Sequence, residues 1–237
     1  MKKKTILSIM LGLVGSVCIA SSSMTVGAKD VRLTNMSQHP QEKNYWCGYS
    51  AMQSVIQRES YIGNLRSNAY YNLSQTGVAN YMRDSMYVGD PYNGTECPWY
   101  SGNQSVDTNQ NNYKASKALS NMSNFHWVAY GCGTTGSGDL SYSEVKWRLV
   151  STLNAGHGCL ISGRSNPNGS SYLPGYPSYF VCHWVATDGY TNDGNYIWII
   201  DPAAHGTGVS FRDSVSAYYK VTLEKITDFA WYHGIMW

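Results

Sequence analysis

The chain has 237 residues, 43% of them apolar and 14% charged, with a formal charge of +2, six Cys and 20 Tyr. This length holds one domain or two small ones with a proper core. High aromatic content and sparse charge exclude disorder, collagen-like repeats and coiled coil. A polytopic membrane protein is excluded as well, because a single apolar stretch approaches spanning length.

That stretch is the N-terminus. Met1-Lys2-Lys3-Lys4 is a basic start, Ile6 to Ala20 is apolar, and Val26-Gly27-Ala28 presents small residues at a cleavage position. The pattern predicts a secretory signal peptide over residues 1–28, with one domain over 29–237 and a protein that is secreted or associated with the outside of a bacterial cell. Cleavage removes three of the 17 basic residues and no acid, so 14 bases face 15 acids and the charge becomes −1. The basicity then belongs to the export segment. No partner is expected among nucleic acids, and no stable membrane insertion. Five Cys remain, an odd number in an exported protein, which directs attention to a reactive thiol.

Residues 29–43 are polar and read as an extended lead-in. From Cys47 to about Arg58, apolar positions at Cys47, Ala51, Met52, Val55 and Ile56 follow helical spacing. A second helix is predicted from Ser74 to Met86. Residues 87–112, rich in Gly, Asn, Ser and Asp, read as a long loop of the kind that carries function. A short helix from Tyr113 to Ser120 and a strand over His126–Tyr130 follow. Ser141 and Glu144 form a capping box, Val145, Leu149 and Leu153 share one face, and Gly156 supplies the stop. Strands are then predicted at Cys159–Ser162, Tyr179–Asp188, Tyr196–Asp201, Tyr218–Leu223 and Phe229–Met236. Helices first and strands last give an α+β domain with a helical half packed on an antiparallel sheet.

The chemistry gathers around Cys47. A thiol at a helix start lies against unpaired N–H groups and the positive end of the dipole, which favours the reactive thiolate. Gln41, six residues upstream, offers a side-chain amide for an oxyanion, and the Cys47 backbone N–H offers a second donor. Of the six His, His183 sits in a run of strand formers, where an imidazole is costly without a partner. A hairpin through the Asp188–Asn195 turn brings Asp201 towards it, suited to orient the ring and stabilise the imidazolium. His157 reads as a turn residue before a buried strand and His205 as a solvated loop residue. No metal-ligand spacing and no phosphate-binding glycine loop is present, so no cofactor or metal is expected.

Gln41-Glu42-Lys43-Asn44-Tyr45-Trp46-Cys47-Gly48 resembles the nucleophile motif of papain-like cysteine peptidases. The resemblance is strongest to the bacteriocin double-glycine leader peptidases and their secreted stand-alone relatives, the peptidase C-39-like group. Further blocks follow in order: Ser74-Gln75, Gly94-Thr95, Asn154 to Gly158, His183 to Tyr190, and Ile200 to Ala203. The resemblance implies a papain-like fold and a monomeric cysteine peptidase acting on a peptide or protein. It implies a triad of Cys47, His183 and Asp201, with Gln41 as oxyanion donor. One departure is Tyr49, where the family has Pro or a small residue, which leads one to expect an altered site entrance. Cys97, Cys132, Cys159 and Cys182 allow three pairings. Cys159 and Cys182 lie on strands that neighbour each other in the resembled fold, which favours that contact; free thiols are the alternative. Strand alternation turns Cys182 away from His183. The alternative activities are a cell-wall (peptidoglycan) amide hydrolase or another acyl transferase on the same fold, and a non-catalytic module binding peptide or glycan.

Overall fold

A computed structural model of the chain describes residues 28–66, 73–86, 114–130, 141–231 and 234–237. Residues 1–27 of the predicted signal peptide, the predicted loop over 87–112, the Gly94-Thr95 block, Cys97 and Cys132 lie outside these residues.

Helix α1 (Cys47–Tyr61) follows the short strand β1 (Val31–Arg32) and is the hub of the helical half. Ten of its fifteen residues are buried, so it is a core helix rather than a surface one. Helices α2 (Gln75–Met86) and α3 (Lys114–Met122) pack beside it. Strand β2 (Ala129–Tyr130) leads to α4 (Tyr142–Asn154), whose start follows the predicted cap: the Ser141 hydroxyl accepts the Glu144 amide. Strands β3 (Cys159–Ser165), β4 (Val181–Thr191), β5 (Tyr196–Ile200) and β6 (Tyr218–Thr222) come next, then helix α5 (Leu223–Ala230) and strand β7 (Gly234–Met236).

The strands form one antiparallel sheet in the order β2-β7-β3-β4-β5-β6, with β1 added along the far end of β4. This is the expected α+β arrangement, with one refinement. Helices cover both faces of the sheet. Leu160, Trp184, Ala186 and Ile200 face α1, α2 and α3, whereas Ile161, Val185, Ile197 and Ile199 face α4 and α5. The strict alternation of these residues along β3 and β4 is what a sheet buried on both sides requires.

Two expectations are corrected. The predicted strand over Phe229–Met236 is a helix followed by three strand residues. Leu223, Ile226 and Ala230 form one buried face, and the Thr222 hydroxyl caps the Lys225 amide, so helical spacing outweighs the β-forming residues at the end. Cys159 and Cys182 are free thiols. Their strands do pair, but Cys159 stands opposite Thr187 and Cys182 opposite Arg164, at the two ends of the ladder. No disulfide spans that separation.

The predicted turn tightens to Asn192–Asn195, where Asn192, Asp193 and Gly194 all adopt left-handed φ and reverse β4 into β5. Gly189 in β4 is fixed by contact. A Cβ there would lie 2.2 Å from the Val31 carbonyl oxygen, so only glycine lets the lead-in pair with β4.

Candidate active site

The lead-in is anchored by side chains rather than by strand pairing alone. Gln75, buried at the start of α2, accepts the Glu42 amide at 2.8 Å and donates to the Pro40 carbonyl at 2.6 Å. Gln41 is anchored through its main chain: its N–H donates to the Pro202 carbonyl and its carbonyl accepts the Thr207 amide. Tyr45 then takes φ +62, and the Trp46 amide bonds back to the Lys43 carbonyl. This turn aims Cys47 into the first position of α1. The first intrahelical bond runs from the Ser50 amide to the Trp46 carbonyl, so the Cys47 amide stands at the open N-terminal end of the helix.

Cys47 and His183 line one open cleft of about 430 Å³ with Gln41, Asn44, Tyr45 and Cys182. Its far wall is Tyr179 and Phe180 before β4, and Gly208 to Phe211 from the loop after Asp201. Among the described residues, no Lys, Arg, Asp or Glu lines it. Tyr179 spans the cleft wall, its hydroxyl 3.0 Å from that of Ser210.

His183 Nε2 donates to Asp201 Oδ1 at 2.9 Å, and the ring is also hydrogen-bonded to Cys47. With Nε2 committed to the carboxylate, Nδ1 is the nitrogen that faces the sulfur. Burial is the largest single influence on His183 and opposes its charge. The Cys47 sulfur and the Asp201 carboxylate together outweigh it and push its pKa up to about 10. The hairpin that does this is the predicted one: Asp201 follows Ile200, which pairs with Ala186 of β4.

Asp201 is wholly buried and accepts four hydrogen bonds. Oδ1 takes His183 Nε2 and the Ala203 amide, both at 2.9 Å. Oδ2 takes the hydroxyls of Tyr176 at 2.9 Å and Tyr219 at 2.7 Å. The two tyrosines escape a reading of the sequence. A buried carboxylate calls for donors, yet nothing in the spacing singles out these two among 20 Tyr.

Gln41 is buried beside Cys47, but its amide nitrogen donates to the carbonyls of Lys43 at 3.0 Å and Thr207 at 3.3 Å. An oxyanion would therefore have to replace the longer of these bonds. Tyr49 corrects the expectation drawn from its bulk. It is 1% exposed and packs edge-on against Trp46 at 5.4 Å, inside the core rather than at the entrance. Tyr45, 59% exposed, occupies the rim instead. Cys182 is turned outward from the buried His183, as alternation predicts, and still borders the cleft.

Two other His residues considered in the sequence, His157 and His205, stay apart from this group. His157 bonds the buried Glu59 at 2.8 Å and stacks on Phe125 at 3.9 Å; the acidic partner on α1 was not legible from sequence. His205 is exposed in a left-handed turn. Among the described residues, no group of three His, Cys, Asp or Glu is arranged to hold a metal ion.

The model of the Peptidase_C39 like family matches residues 29–226. The crystal structure of xylellain, a cysteine protease from Xylella fastidiosa, is similar at 15% identity over 87% of this chain and 84% of that one, with a TM-score of 0.41. No curated protein sequence matches. With most of its length matched by the family model, the chain belongs to the Peptidase_C39 like family and is a cysteine-type peptidase.

Proposed function

We propose that the protein is a secreted cysteine peptidase that cleaves peptide bonds through Cys47, His183 and Asp201, with Gln41 as oxyanion donor. The observation that carries this reading is the chain of contacts from Cys47 to His183 to Asp201 at the floor of an open cleft. Cys47 Sγ attacks the carbonyl carbon of the scissile amide, and its proton resides on His183 Nδ1. The carbonyl oxygen becomes an oxyanion, met by the Cys47 amide and by the Gln41 amide as it releases the Thr207 carbonyl. His183 protonates the leaving nitrogen, the C–N bond breaks, and a thioester to Cys47 remains. Water then adds to the thioester, giving its proton to His183 and returning the thiol and a carboxylic acid. Throughout, Asp201 keeps Nε2 protonated and Nδ1 turned to the sulfur.

Among the described residues no Lys, Arg, Asp or Glu lines the cleft, and its rim is aromatic at Tyr45, Tyr179 and Phe180. This favours an extended, uncharged peptide segment held by main-chain bonds and apolar contact. Export rests on Met1-Lys2-Lys3-Lys4, the apolar run from Ile6 to Ala20, and Val26-Gly27-Ala28. The protein acts as a monomer outside the cell in this reading.

Two measurements test it. Casein and a mixed peptide library, incubated with the protein and with Cys47→Ala, should show new termini only with the unaltered chain. Cleavage that persists in Cys47→Ala overturns the mechanism. Expression of the full chain in a secreting bacterium should yield a mature protein beginning at Lys29, and retention of Met1 in the culture fluid would refute export by cleavage.

A further inference from the structure

Asp201 is the most heavily bonded side chain in the cleft region, and half of its partners are tyrosines. All four of its acceptor sites are filled, two by hydroxyls that converge on the single oxygen Oδ2. A carboxylate needs one partner to orient an imidazole. Here Oδ1 alone does that, while Tyr176 and Tyr219 act only on the opposite oxygen. We infer that Tyr176 and Tyr219 are positioning residues, which lock the Asp201 carboxylate in the rotation that presents Oδ1 to His183. The inference rests on the peptidase reading of this site.

The two tyrosines arrive from separate parts of the fold, which makes the clamp a tertiary feature. Tyr219 stands on β6 opposite Ile199 of β5, two residues before Asp201. Tyr176 comes from the connection between β3 and β4. That connection is seated by Gly175, at φ +79, where a Cβ would lie 2.1 Å from the Ser214 carbonyl oxygen. The Tyr172 hydroxyl donates to the Tyr176 carbonyl and holds the turn. Tyr176 also packs edge-on against the His183 ring at 5.8 Å and, tilted, against Phe211 at 5.0 Å. It therefore touches both members of the pair it positions.

The physical effect follows from the geometry of a carboxylate. Rotation about the bond to the carboxyl group exchanges Oδ1 and Oδ2, and any intermediate angle spoils the line from Oδ1 to Nε2. Two hydroxyls at 2.7 and 2.9 Å on Oδ2, with the Ala203 amide on Oδ1, leave one favourable angle. Burial makes the restraint strong, since each hydroxyl bond is made to a charged group away from water. Because both tyrosines serve one oxygen, either can hold the angle for a time without the other. Loss of both is therefore worse than twice the loss of one.

The test uses Tyr176→Phe, Tyr219→Phe and the double variant, each in the natural and the Asp201→Asn background. Each single variant should lower kcat by about 3- to 5-fold with KM unchanged, and the double variant by about 100-fold, more than the product of the two. In Asp201→Asn, where the clamped carboxylate is absent, the same changes should produce no further fall. A general packing role would lower kcat, or raise KM, equally in both backgrounds, and that result overturns the inference. So would wild-type kcat in the double variant. The rate of Cys47 alkylation by iodoacetamide at pH 7 supplies a readout independent of peptide cleavage. If no peptide is cleaved, the peptidase reading fails; a slower Cys47 alkylation in the double variant, absent in the Asp201→Asn background, still supports the clamp. An unchanged rate removes it. Thermal melting of each variant identifies any that is not folded, and in that case the remaining single variant decides.

Discussion

The ring of His183 stands between a sulfur and a carboxylate, and its 2.9 Å bond to Asp201 is made at the buried end of the cleft. This one contact joins the ends of two adjacent strands, and through Cys47 it reaches the start of α1. In the proposed mechanism the sheet supplies the base and its partner, the helical half supplies the nucleophile, and neither half completes the site alone.

The first prediction concerns pH. The pKa of His183 is raised above its usual value, so the imidazolium is held at neutral pH and lost as pH rises through about 10. Activity should therefore fall on the alkaline side only well above pH 8. Asp201 is one of the groups that raises this value, so Asp201→Asn should move the alkaline limb to lower pH and lower kcat by at least about 10-fold. A pH–rate profile of the two proteins checks both. An alkaline limb that stays in place would show that Asp201 does not act on His183.

Gln41 gives a second prediction. Its main chain carries the anchoring bonds to Pro202 and Thr207, so Gln41→Ala leaves the lead-in attached. Loss of the side-chain amide should reduce kcat by about 100-fold or more, with little change in KM. Steady-state kinetics on a cleaved peptide measures this. A rise in KM at constant kcat would make Gln41 a substrate-binding residue instead.

A third prediction concerns stability away from the cleft. Glu59 is fully buried on α1, where His157 and Asn64 satisfy its two oxygens. His157→Ala strands that carboxylate in the core and should destabilise the fold by about 3 kcal/mol, as removal of one partner from a buried pair does. Urea unfolding measures it. Equal stability of the variant and the natural chain would mean that water replaces the imidazole without cost.

Much of the site was legible in the sequence because its parts obey local rules. The helix beginning at Cys47 follows from apolar spacing, the β4–β5 hairpin from strand formers around an Asn-Asp-Gly turn, and the α4 cap from Ser141 and Glu144. Those rules place Cys47 on a helix start and bring His183 and Asp201 together. What escaped them is tertiary. Tyr176, Tyr219 and Glu59 act on residues that are 18 to 98 positions away or lie in other elements, and no short pattern marks such partners. Tyr49 was misplaced for a related reason. The side of a helix that faces inward depends on what packs around it, and α1 is enclosed almost all round. Helix α5 does carry a local signal, since Thr222, Leu223, Ile226 and Ala230 have helical spacing beneath a β-rich composition.

The cleft contains its own control for the central claim, that Cys47 is an activated nucleophile. Cys182 borders the same cleft and is the more exposed of the two thiols, but burial of its sulfur and the nearby Cys47 raise its pKa. The decisive measurement is competitive alkylation of the native protein with limiting iodoacetamide at pH 6 to 7, with each labelled thiol identified by peptide mapping. Cys47 should label first and at least about 10-fold faster than Cys182, with the difference lost in His183→Ala. Labelling of Cys182 at an equal or greater rate would contradict an activated Cys47 and the triad built around it.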